Sequence, residues 1–435
     1  MQTMRRSLLP LVLAAAALAA PTAAHAGWSA PIAVSSPAQD TSLLGLGADR
    51  QDRPALLLDR RVARAGHQLL LRRSATPGRL GPGAATTVAT SRNGFEGAGV
   101  FAAPGADLAA GWLEIVDGSR RPVVATGPTL AGRQVLAPGP RSTQIMAMAA
   151  DPHGDATVAF WRYRGSGYQV FAASRPAGGR FGTPQLVGDG KPGFPVVAMG
   201  EDGSAAVGWT EADGVHVAER AAGAEAFAPA VTLPGSTEAG LGLALATGEG
   251  RTVAAWARGG SAGQVVAAVR TAGQPAWGNP AVLSTPGIRI PRSATPSVVL
   301  DGPRTLVAWT QGVPRTVAHD RAALAVRDGG AWSAPVIRAV AAPAHVAGVA
   351  LTAAAPGRLP LLAITTVRDG ARGLQTATPR ADGTLGPSRT IPLGAGHELG
   401  AAPVVAQGGR HTWLAVDRWD RRARRNQVLL FRATP

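Results

Sequence analysis

The chain of 435 residues has no cysteine, and Lys191 is its only lysine. Without cysteine it can form neither disulfide bonds nor thiolate metal sites, and it cannot carry a lipid on a cysteine side chain. Beyond residue 26 no apolar run is long enough to span a membrane as a helix, and no helical periodicity of useful length occurs. These absences exclude disulfide-rich, membrane-spanning and mainly helical classes for this part of the sequence.

The first 26 residues have the pattern of an export signal. Arg5 and Arg6 supply the positive start, an apolar stretch covers residues 8–20, and a small-residue cleavage site ends at Ala26. We therefore predict a signal peptide over residues 1–26, cleaved after Ala26, and a secreted or otherwise extracytoplasmic protein.

The formal net charge is +16, and nearly all of the basic residues are arginine. A basic surface favours anionic partners such as acidic glycans, envelope polymers or nucleic acid. The arginines are spread along the chain with only one dense run. The same distribution would result if arginine simply occupied positions that tolerate it, without any role in binding. No specific nucleic-acid motif occurs, so the charge indicates a glycan or an anionic polymer as partner and points to no site.

The dominant pattern is an internal repeat of about 50 residues, centred on a strand of the type Thr-Val-Ala-x-Trp. Its copies end at Leu58, Trp112, Trp161, Trp209, Trp256, Trp309, Ile364 and Val416. The spacings run from 47 to 55 residues, and each unit has four short apolar runs with turn-rich links. Four strands at this period describe a propeller blade. We predict an all-β fold, a single β-propeller over residues 27–435 with eight four-stranded blades; seven blades are the alternative, since the first two copies are divergent.

The two ends of the repeat region complement each other. A fourth-strand signature, an aromatic residue followed by Pro and an aliphatic run, opens this region at Trp28 to Val34, and the last unit stops at its third strand, 427–432. Pairing of the N-terminal strand into the last blade would complete that blade and remove two exposed edges. We therefore predict that the ring closes in this way.

The connections between second and third strands are longer and more varied than the Gly-rich turns between first and second strands, notably at 311–320 and 417–426. Variable loops on a rigid scaffold often carry function, so we place the functional site on the face with these connections, the loop face. The repeat tryptophans end second strands near it, either as core wedges or as stacking platforms for sugars. Arginines that follow them could bind carboxylate, sulfate or phosphate. The predicted ligand-binding residues are Trp419, Arg418, Arg421, Arg422, Arg315, Arg162, Arg164, Trp161 and Trp309.

Catalytic constellations are weak in this sequence, and the catalytic residues stay unknown. A glycosidase needs two carboxylates about 5–9 Å apart. Acidic residues on the predicted loops come from different blades: Asp59, Glu114, Asp117, Glu211, Asp213, Asp320, Asp369, Asp417 and Asp420. The local metal candidates, Asp151-x-His153-x-Asp155 and His319-Asp320, have no diagnostic spacing, and turn conformation explains the first. We predict no metal and no cofactor.

In the well-preserved copies the Trp strand is followed by Gly-Gly-x-aromatic-x-x-Pro, as at 178–184 and 329–335. This order resembles secreted sialidase-like propellers with Asp-box-type repeats, and it is similar to fucose-lectin-type propellers, which carry a Trp in each blade. Ala177-Gly-Gly-Arg-Phe181 and Asp328-Gly-Gly-Ala-Trp332 stand in place of the Asp box without its Ser and Asp-x-Gly order. The resemblance covers nearly all of residues 27–435; it implies a propeller, and no catalytic residue is carried over from it.

The sequence therefore favours a non-enzymatic binding propeller, secreted or at the cell surface, for carbohydrate or an anionic envelope polymer. A glycoside hydrolase or polysaccharide lyase that uses loop carboxylates is the first alternative. A scaffold for protein partners, bound through the arginine-rich face, is the second. Oligomeric state is left open, with a monomer as the default.

Overall fold

Short apolar runs separated by turns of Gly, Asp and Pro form β-strands along the chain. The computed structural model describes residues 27–49, 51–63, 66–80, 85–102, 107–137, 143–165, 167–190, 192–237, 239–259, 263–290, 294–312, 320–352 and 360–433. All regular structure in these ranges is β-strand. They contain no helix that could span a membrane. The predicted signal peptide, 1–26, lies outside them.

The strands form eight antiparallel sheets, which are the blades of a β-propeller. The N-terminal strand is β1 (Ile32–Ala33). Blade 1 contains β2 (Thr41–Ala48), β3 (Pro54–Val62), β4 (Gly66–Arg73) and β5 (Thr86–Ser91). Blade 2 contains β6 (Phe95–Ala102), β7 (Leu108–Val116), β8 (Ser119–Thr126) and β9 (Gly132–Val135). Blade 3 contains β10 (Thr143–Ala150), β11 (Ala156–Arg164), β12 (Gly167–Arg175) and β13 (Gln185–Gly190). Blade 4 contains β14 (Val196–Met199), β15 (Ala205–Glu211), β16 (Gly214–Arg220) and β17 (Val231–Thr232).

The second half of the ring repeats this plan with two interruptions. Blade 5 contains β18 (Ala239–Gly248), β19 (Arg251–Arg258), β20 (Gln264–Thr271) and β21 (Ala281–Val282). Blade 6 contains β22 (Ser297–Asp301), β23 (Arg304–Gln311), β24 (Arg321–Asp328) and an outer strand split into β25 (Ala331–Trp332) and β26 (Val336–Arg338). Blade 7 contains β27 (His345–Thr352), β28 (Leu361–Arg368), β29 (Ala371–Ala377) and β30 (Arg389–Thr390). Blade 8 contains an inner strand split into β31 (His397–Leu399) and β32 (Val404–Gln407), then β33 (Thr412–Asp420) and β34 (Arg425–Ala433).

Strand β1 supplies the outer strand of blade 8, as predicted. Ile32 pairs with Leu430 in an antiparallel register, and the backbone N–H of Val34 donates to the carbonyl oxygen of Val428 at 2.9 Å. The eight-blade ring and its closure by the N-terminal strand are thus confirmed, and the seven-blade alternative is wrong.

The core consists of eight apolar clusters, and each contains residues from two neighbouring blades. The cluster between blades 1 and 2 includes Leu57 and Trp112, for example. The last cluster joins Trp413 of blade 8 to Leu56 of blade 1 and includes Val34 from the closing segment. The apolar packing is therefore continuous around the ring.

One loop-face connection is shorter than the sequence predicted. Most of 417–426 belongs to β33 and β34, and only residues 421–424 form a turn. The Oδ1 atom of Asp420 accepts hydrogen bonds from the backbone N–H groups of Arg422 at 2.8 Å and Ala423 at 2.9 Å, which stabilises this tight turn. The other long connection, 311–320, is outside the described residues over 313–319.

Candidate functional site

Four of the repeat tryptophans are wedged between blades. Trp112, Trp209, Trp256 and Trp309 are at most 1% exposed, and each belongs to an inter-blade cluster. The indole N–H of Trp309 donates to Gln311 Oε1 at 2.8 Å, so its polar atom is also engaged. Trp309, which the sequence proposed as a ligand-binding residue, therefore offers no accessible ring face in this structure.

Trp161 differs from the other repeat tryptophans because the wedge position in blade 3 is filled by Phe160. Counted from the first residue of β11, Phe160 stands where Trp209 stands in β15, and it is fully buried against blade 2. Successive strand residues point to opposite faces, so Trp161 points away from that cluster. It is half-buried, with its ring centroid 4.2 Å from that of Tyr168. The sequence alignment on Trp161 was thus one residue out of register.

Two tyrosines extend this aromatic surface towards solvent. Tyr163 lies two residues beyond Trp161 on β11 and pairs with Tyr168 on β12, with their ring centroids 5.3 Å apart edge to face. The Tyr163 side chain is 44% exposed, an unusual amount for an aromatic ring. We call Trp161, Tyr163 and Tyr168 the aromatic group. It offers an apolar platform with polar edges at the loop face of blade 3.

A cleft of about 630 Å³ opens beside this hairpin, between blades 3 and 4. Its lining residues are Arg164, Gly167, Gln169, Asp189, Gly190, Glu211, Ala212 and Asp213. The Gln169 side-chain amide donates to Asp189 Oδ2 at 3.2 Å. The Gln169 amide oxygen is buried and has no hydrogen-bond partner among the described residues. This blade 3–4 cleft therefore combines hydrogen-bond donors and acceptors, and the hairpin that supplies Arg164, Gly167 and Gln169 to it also carries the aromatic group.

Blade 4 contributes a closely spaced set of Glu211, Asp213 and His216, of which Glu211 and Asp213 line this cleft. One ligand atom of each lies within 4.8 Å of the others. The indole N–H of Trp209 donates to Glu211 Oε1 at 2.8 Å, and His216 Nε2 lies 2.9 Å from Asp213 Oδ1. This bond to His216 lowers the pKa of Asp213, so its carboxylate is ionised at neutral pH.

Two glycines of β13 allow blade 4 to approach this closely. A Cβ atom at Gly188 would lie 2.3 Å from Cζ2 of Trp209. A Cβ atom at Gly190 would lie 2.3 Å from Oε2 of Glu211. A Cβ at Gly188 would overlap the buried Trp209 ring, and one at Gly190 would force the Glu211 carboxylate to move, so the two glycines allow both groups to lie against blade 3.

The predicted arginines of blade 8 are largely engaged within the protein. Arg421 makes two bonds of 3.1 Å to the carboxylate of Glu398, which raises the pKa of Arg421 and lowers that of Glu398. Arg418 donates to Gln427 Oε1 and to the carbonyl oxygen of Leu393. Trp419 is half-buried on β33, where it pairs with Glu398 of β31, and Arg422 is exposed.

The nine predicted residues do not form one site. Trp161, Arg162 and Arg164 share β11 in blade 3, whereas Arg418, Trp419, Arg421 and Arg422 lie in blade 8. Trp309 lies in blade 6, and Arg315 lies outside the described residues. Arg164 is exposed and lines the blade 3–4 cleft, while Arg162 is half-buried opposite Gln169. This cleft is the place where predicted residues meet further polar groups.

Most of the other predicted loop carboxylates are held in local ion pairs. The Oδ2 atom of Asp59 lies 2.9 Å from His67 Nδ1. Glu114 and Asp320 each form an ion pair with a nearby arginine. Asp151 Oδ1 accepts three backbone N–H bonds of 2.8 to 3.0 Å within its own turn, as turn chemistry predicted. His319 of the second metal candidate lies outside the described residues.

A second cleft of about 550 Å³ lies between blades 4 and 5 on the opposite face. Its arginines are occupied by the protein itself. Arg220 donates to the carbonyl oxygens of Ala224 and Gly203 at 3.0 Å, and Arg270 pairs with Glu219 at 2.5 Å. We therefore take the blade 3–4 cleft as the candidate functional site.

The sequence reasoning missed His216, Gln169 and Asp189. A signal for His216 was present, because a two-residue turn after Glu211 sets Trp209 opposite His216 in the hairpin. Their rings stack with centroids 5.7 Å apart and planes within 10°. Gln169 and Asp189 gave no such signal, since their meeting depends on the register between β12 and β13, where a bulge intervenes.

We compared the chain with known protein families, curated proteins and solved structures. No protein-family model matches the chain, and no curated protein matches it in sequence. The polysaccharide lyase Uly1 is similar in structure, with a TM-score of 0.51 and 10% identity over 93% of this chain and 99% of that one. A PL25 ulvan lyase bound to -[GlcA(1-4)Rha3S]- has a TM-score of 0.47 and 10% identity over 75% and 89% of the two chains. A lectin of Aleuria aurantia, in complex with Fucalpha1-6GlcNAc, has a TM-score of 0.39 and 11% identity over 67% and 96%.

At 10% identity the likeness to the lyase Uly1 shows a shared propeller fold and nothing about a shared activity. The lectin-type resemblance of the repeat stays a prediction. The sialidase-like resemblance likewise stays a prediction.

Proposed function

We propose that this chain is a non-enzymatic carbohydrate-binding propeller that acts outside the cytoplasm, with the blade 3–4 cleft and the adjacent aromatic group as its binding site. The observation that carries the proposal is the exposed ring of Tyr163 on the hairpin that also supplies Arg164 and Gln169 to the cleft. Sugars present apolar ring faces and many hydroxyl groups, and such a surface offers stacking and hydrogen bonds together. The extracytoplasmic location rests on the export signal in the sequence.

The charges in the cleft favour a hydroxyl-rich sugar over a polyanion. Asp189, Glu211 and Asp213 bring three carboxylates into the lining, against the single guanidinium of Arg164. Carboxylates accept hydrogen bonds from sugar hydroxyls, whereas they repel the carboxylate or sulfate groups of an acidic polymer. We therefore expect neutral glycans to bind more tightly here than anionic ones.

An anionic envelope polymer would instead need the arginines of blade 8. There Arg421 is already paired with Glu398, and Arg418 is bonded to Gln427. A polyanion would have to replace those partners at Arg418 and Arg421, so the net gain from these two contacts is small. The anionic-polymer alternative is accordingly the weaker one.

Glycoside hydrolysis is a second candidate, because Glu211 and Asp213 place two carboxylates within 4.8 Å. A hydrolase needs one of its carboxyl groups to stay protonated as a general acid, with a raised pKa. The pKa of Asp213 moves in the opposite direction, since His216 stabilises its ionised form. Asp213 is therefore unsuited to be that general acid, and binding without turnover is our preferred function.

A glycan screen on the protein tests this proposal, followed by titration calorimetry with the best neutral oligosaccharide. Tyr163→Ala removes the exposed ring, and Arg164→Ala removes the cleft's guanidinium. We expect each change to weaken binding about tenfold, which is about 1.4 kcal/mol. The matched control is Arg422→Ala, because Arg422 is also an exposed loop-face arginine but lies in blade 8.

Equal loss of affinity in Arg422→Ala and Arg164→Ala would contradict the placement of the site. New reducing ends in the bound glycan would replace the binding proposal with the hydrolase. Unsaturated products would replace it with a lyase.

A further inference from the structure

We propose that Glu211, Asp213 and His216 form a binding site for a divalent transition-metal ion at the wall of the blade 3–4 cleft. The three side chains come from one hairpin: Glu211 ends β15, Asp213 lies in the turn, and His216 lies on β16. Their candidate ligand atoms lie within 4.8 Å of one another, so a small shift of each side chain would bring all three to a single ion. This proposal replaces the sequence-based prediction of no metal.

The donor set is mixed rather than merely acidic, and this determines the class of metal. Two carboxylate oxygens and one imidazole nitrogen suit the borderline ion Zn²⁺, and the two carboxylates also suit the harder transition-metal ion Mn²⁺. Ca²⁺ prefers six to eight oxygen ligands and rarely uses imidazole. Three protein ligands would leave open positions for water, which is the arrangement of an accessible rather than a closed structural site.

Contacts outside the triad hold two of its members in place. The indole N–H of Trp209 fixes Glu211 Oε1 at 2.8 Å, and the buried Trp209 ring stacks on the His216 imidazole. Thr232 Oγ1 lies 3.3 Å from His216 Nδ1, which leaves Nε2 on the side of Asp213. Orientation of a histidine through its second ring nitrogen is a recurrent feature of metal sites.

The surroundings of the triad have space and charge suited to a cation. Gly190 stands against Glu211 Oε2 at a place that any Cβ would fill. Asp189 and Gln169 line the same cleft, and the buried amide oxygen of Gln169 has no hydrogen-bond partner within the part of the chain that the structure describes. Ionised carboxylates held this close repel one another, and a bound cation would remove that repulsion. The cleft thus presents acceptors in excess of the donors that the described residues supply.

The test is a titration of the untagged protein with Zn²⁺ and with Mn²⁺, followed by calorimetry at neutral pH. We expect saturable binding of one ion, lost in His216→Gln and in Asp213→Asn. Thr232→Val should weaken binding about tenfold, because it removes only the orienting contact. The matched control is His397→Gln: His397 lies 3.6 Å from Asp420 on the same face of the ring, without a third metal-binding group among the described residues.

Thermal unfolding of each variant without metal shows whether it is folded, so that loss of binding reports on the ligand set. Absence of saturable binding for both ions would overturn the proposal, as would binding that His216→Gln leaves unchanged. The titration contains no glycan, so its outcome is independent of the proposed function. Glycan binding can then be compared with and without EDTA, which shows whether the ion takes part in that binding.

Discussion

Asp417 is a buried acid at the junction between blade 8 and blade 1. It is 3% exposed, and its Oδ1 accepts a hydrogen bond of 2.8 Å from the backbone N–H of Leu43 on β2. Burial, with a smaller contribution from the nearby charge of Asp40, raises the pKa of Asp417 from 3.8 to about 7. The folded protein therefore keeps this proton at pH values where the unfolded chain has lost it.

This proton makes the stability of the junction depend on pH. Between about pH 4 and pH 7 the folded state binds more protons than the unfolded state, so the contribution of Asp417 to stability falls as pH rises. Asp417→Asn cannot titrate. We expect the free energy of unfolding of Asp417→Asn, relative to wild type, to rise by on the order of 2–4 kcal/mol from pH 4 to pH 8.

Urea unfolding of both proteins across this pH range measures the difference. If the amide group changes the free energy of unfolding by the same amount at every pH, the variation of this difference with pH is unaffected. A difference that stays flat from pH 4 to pH 8 would show that the Asp417 carboxyl titrates near its ordinary value.

Gly188 is the second residue whose identity the structure explains. A methyl group there would overlap the indole of Trp209, which is 1% exposed and has no room to move away. We expect Gly188→Ala to lower the free energy of unfolding by about 1–3 kcal/mol, the usual cost of overpacking. Gly348→Ala is the matched control, because a Cβ at Gly348 meets nothing within 4 Å. Chemical denaturation of the two variants would contradict this account if both lost the same stability.

At the scale of elements, the closing strand is held by more than its two paired residues. The N–H of Ser29 donates to the carbonyl oxygen of Arg432 at 2.8 Å, and the Ser35 hydroxyl accepts from the N–H of Val428 at 2.9 Å. Val34 is buried in the cluster that joins blades 8 and 1. The segment therefore contributes both backbone pairing and apolar contact to the last blade.

Removal of this segment should destabilise the ring. Deletion of residues 27–36 leaves β34 without its outer neighbour, and we expect the Tm to fall by on the order of 5 °C or more. Val34→Ala should lower the free energy of unfolding by about 1–3 kcal/mol. Val231→Ala should change it little, because Val231 is 45% exposed on the outer strand of blade 4. A Tm unchanged by the deletion, measured by calorimetry, would be incompatible with closure by this strand.

The blades could be predicted from the sequence because the residues that form each blade lie close together along the chain. A Thr-Val-Ala-x-Trp strand and an aromatic-x-x-Pro outer strand recur at a fixed period, so strand count and closure follow from the repeat. The side-chain groups at the blade edges do not follow from it. Trp161 lies outside the inter-blade core because Phe160 occupies the wedge position in blade 3. An alignment of the repeats cannot tell which of two adjacent aromatic residues is the buried one.

The site itself could be predicted only in part, because it forms between blades. Arg164 was found from its place after a second strand, but its cleft also needs Asp189 from the outer strand of blade 3 and Glu211 from blade 4. The distance across that gap depends on Gly188 and Gly190, whose role is visible only once blade 4 is in place. The repeat pattern in the sequence therefore does not show how neighbouring blades pack against each other, and the cleft depends on that packing.

Across the whole molecule the blades share one plan, and the proposed function rests on local differences between them. Eight inter-blade cores repeat around the ring, yet blade 3 presents an exposed tyrosine and blade 4 presents a Glu–Asp–His set. The overall charge of +16 is not reproduced in the blade 3–4 cleft, where carboxylates outnumber arginine. A basic protein can thus hold a site that does not attract polyanions.

The salt dependence of glycan binding distinguishes a specific neutral-sugar site in the blade 3–4 cleft from general attraction to the basic surface. The best neutral oligosaccharide is titrated at about 0.05 M and about 0.5 M NaCl, where charge attraction in the second case is strongly screened. We expect dissociation constants that agree within about twofold, with Tyr163→Ala binding about tenfold more weakly at both salt concentrations. Binding that disappears at the higher salt concentration and is indifferent to Tyr163→Ala would contradict this expectation, and would indicate attraction to the basic surface instead.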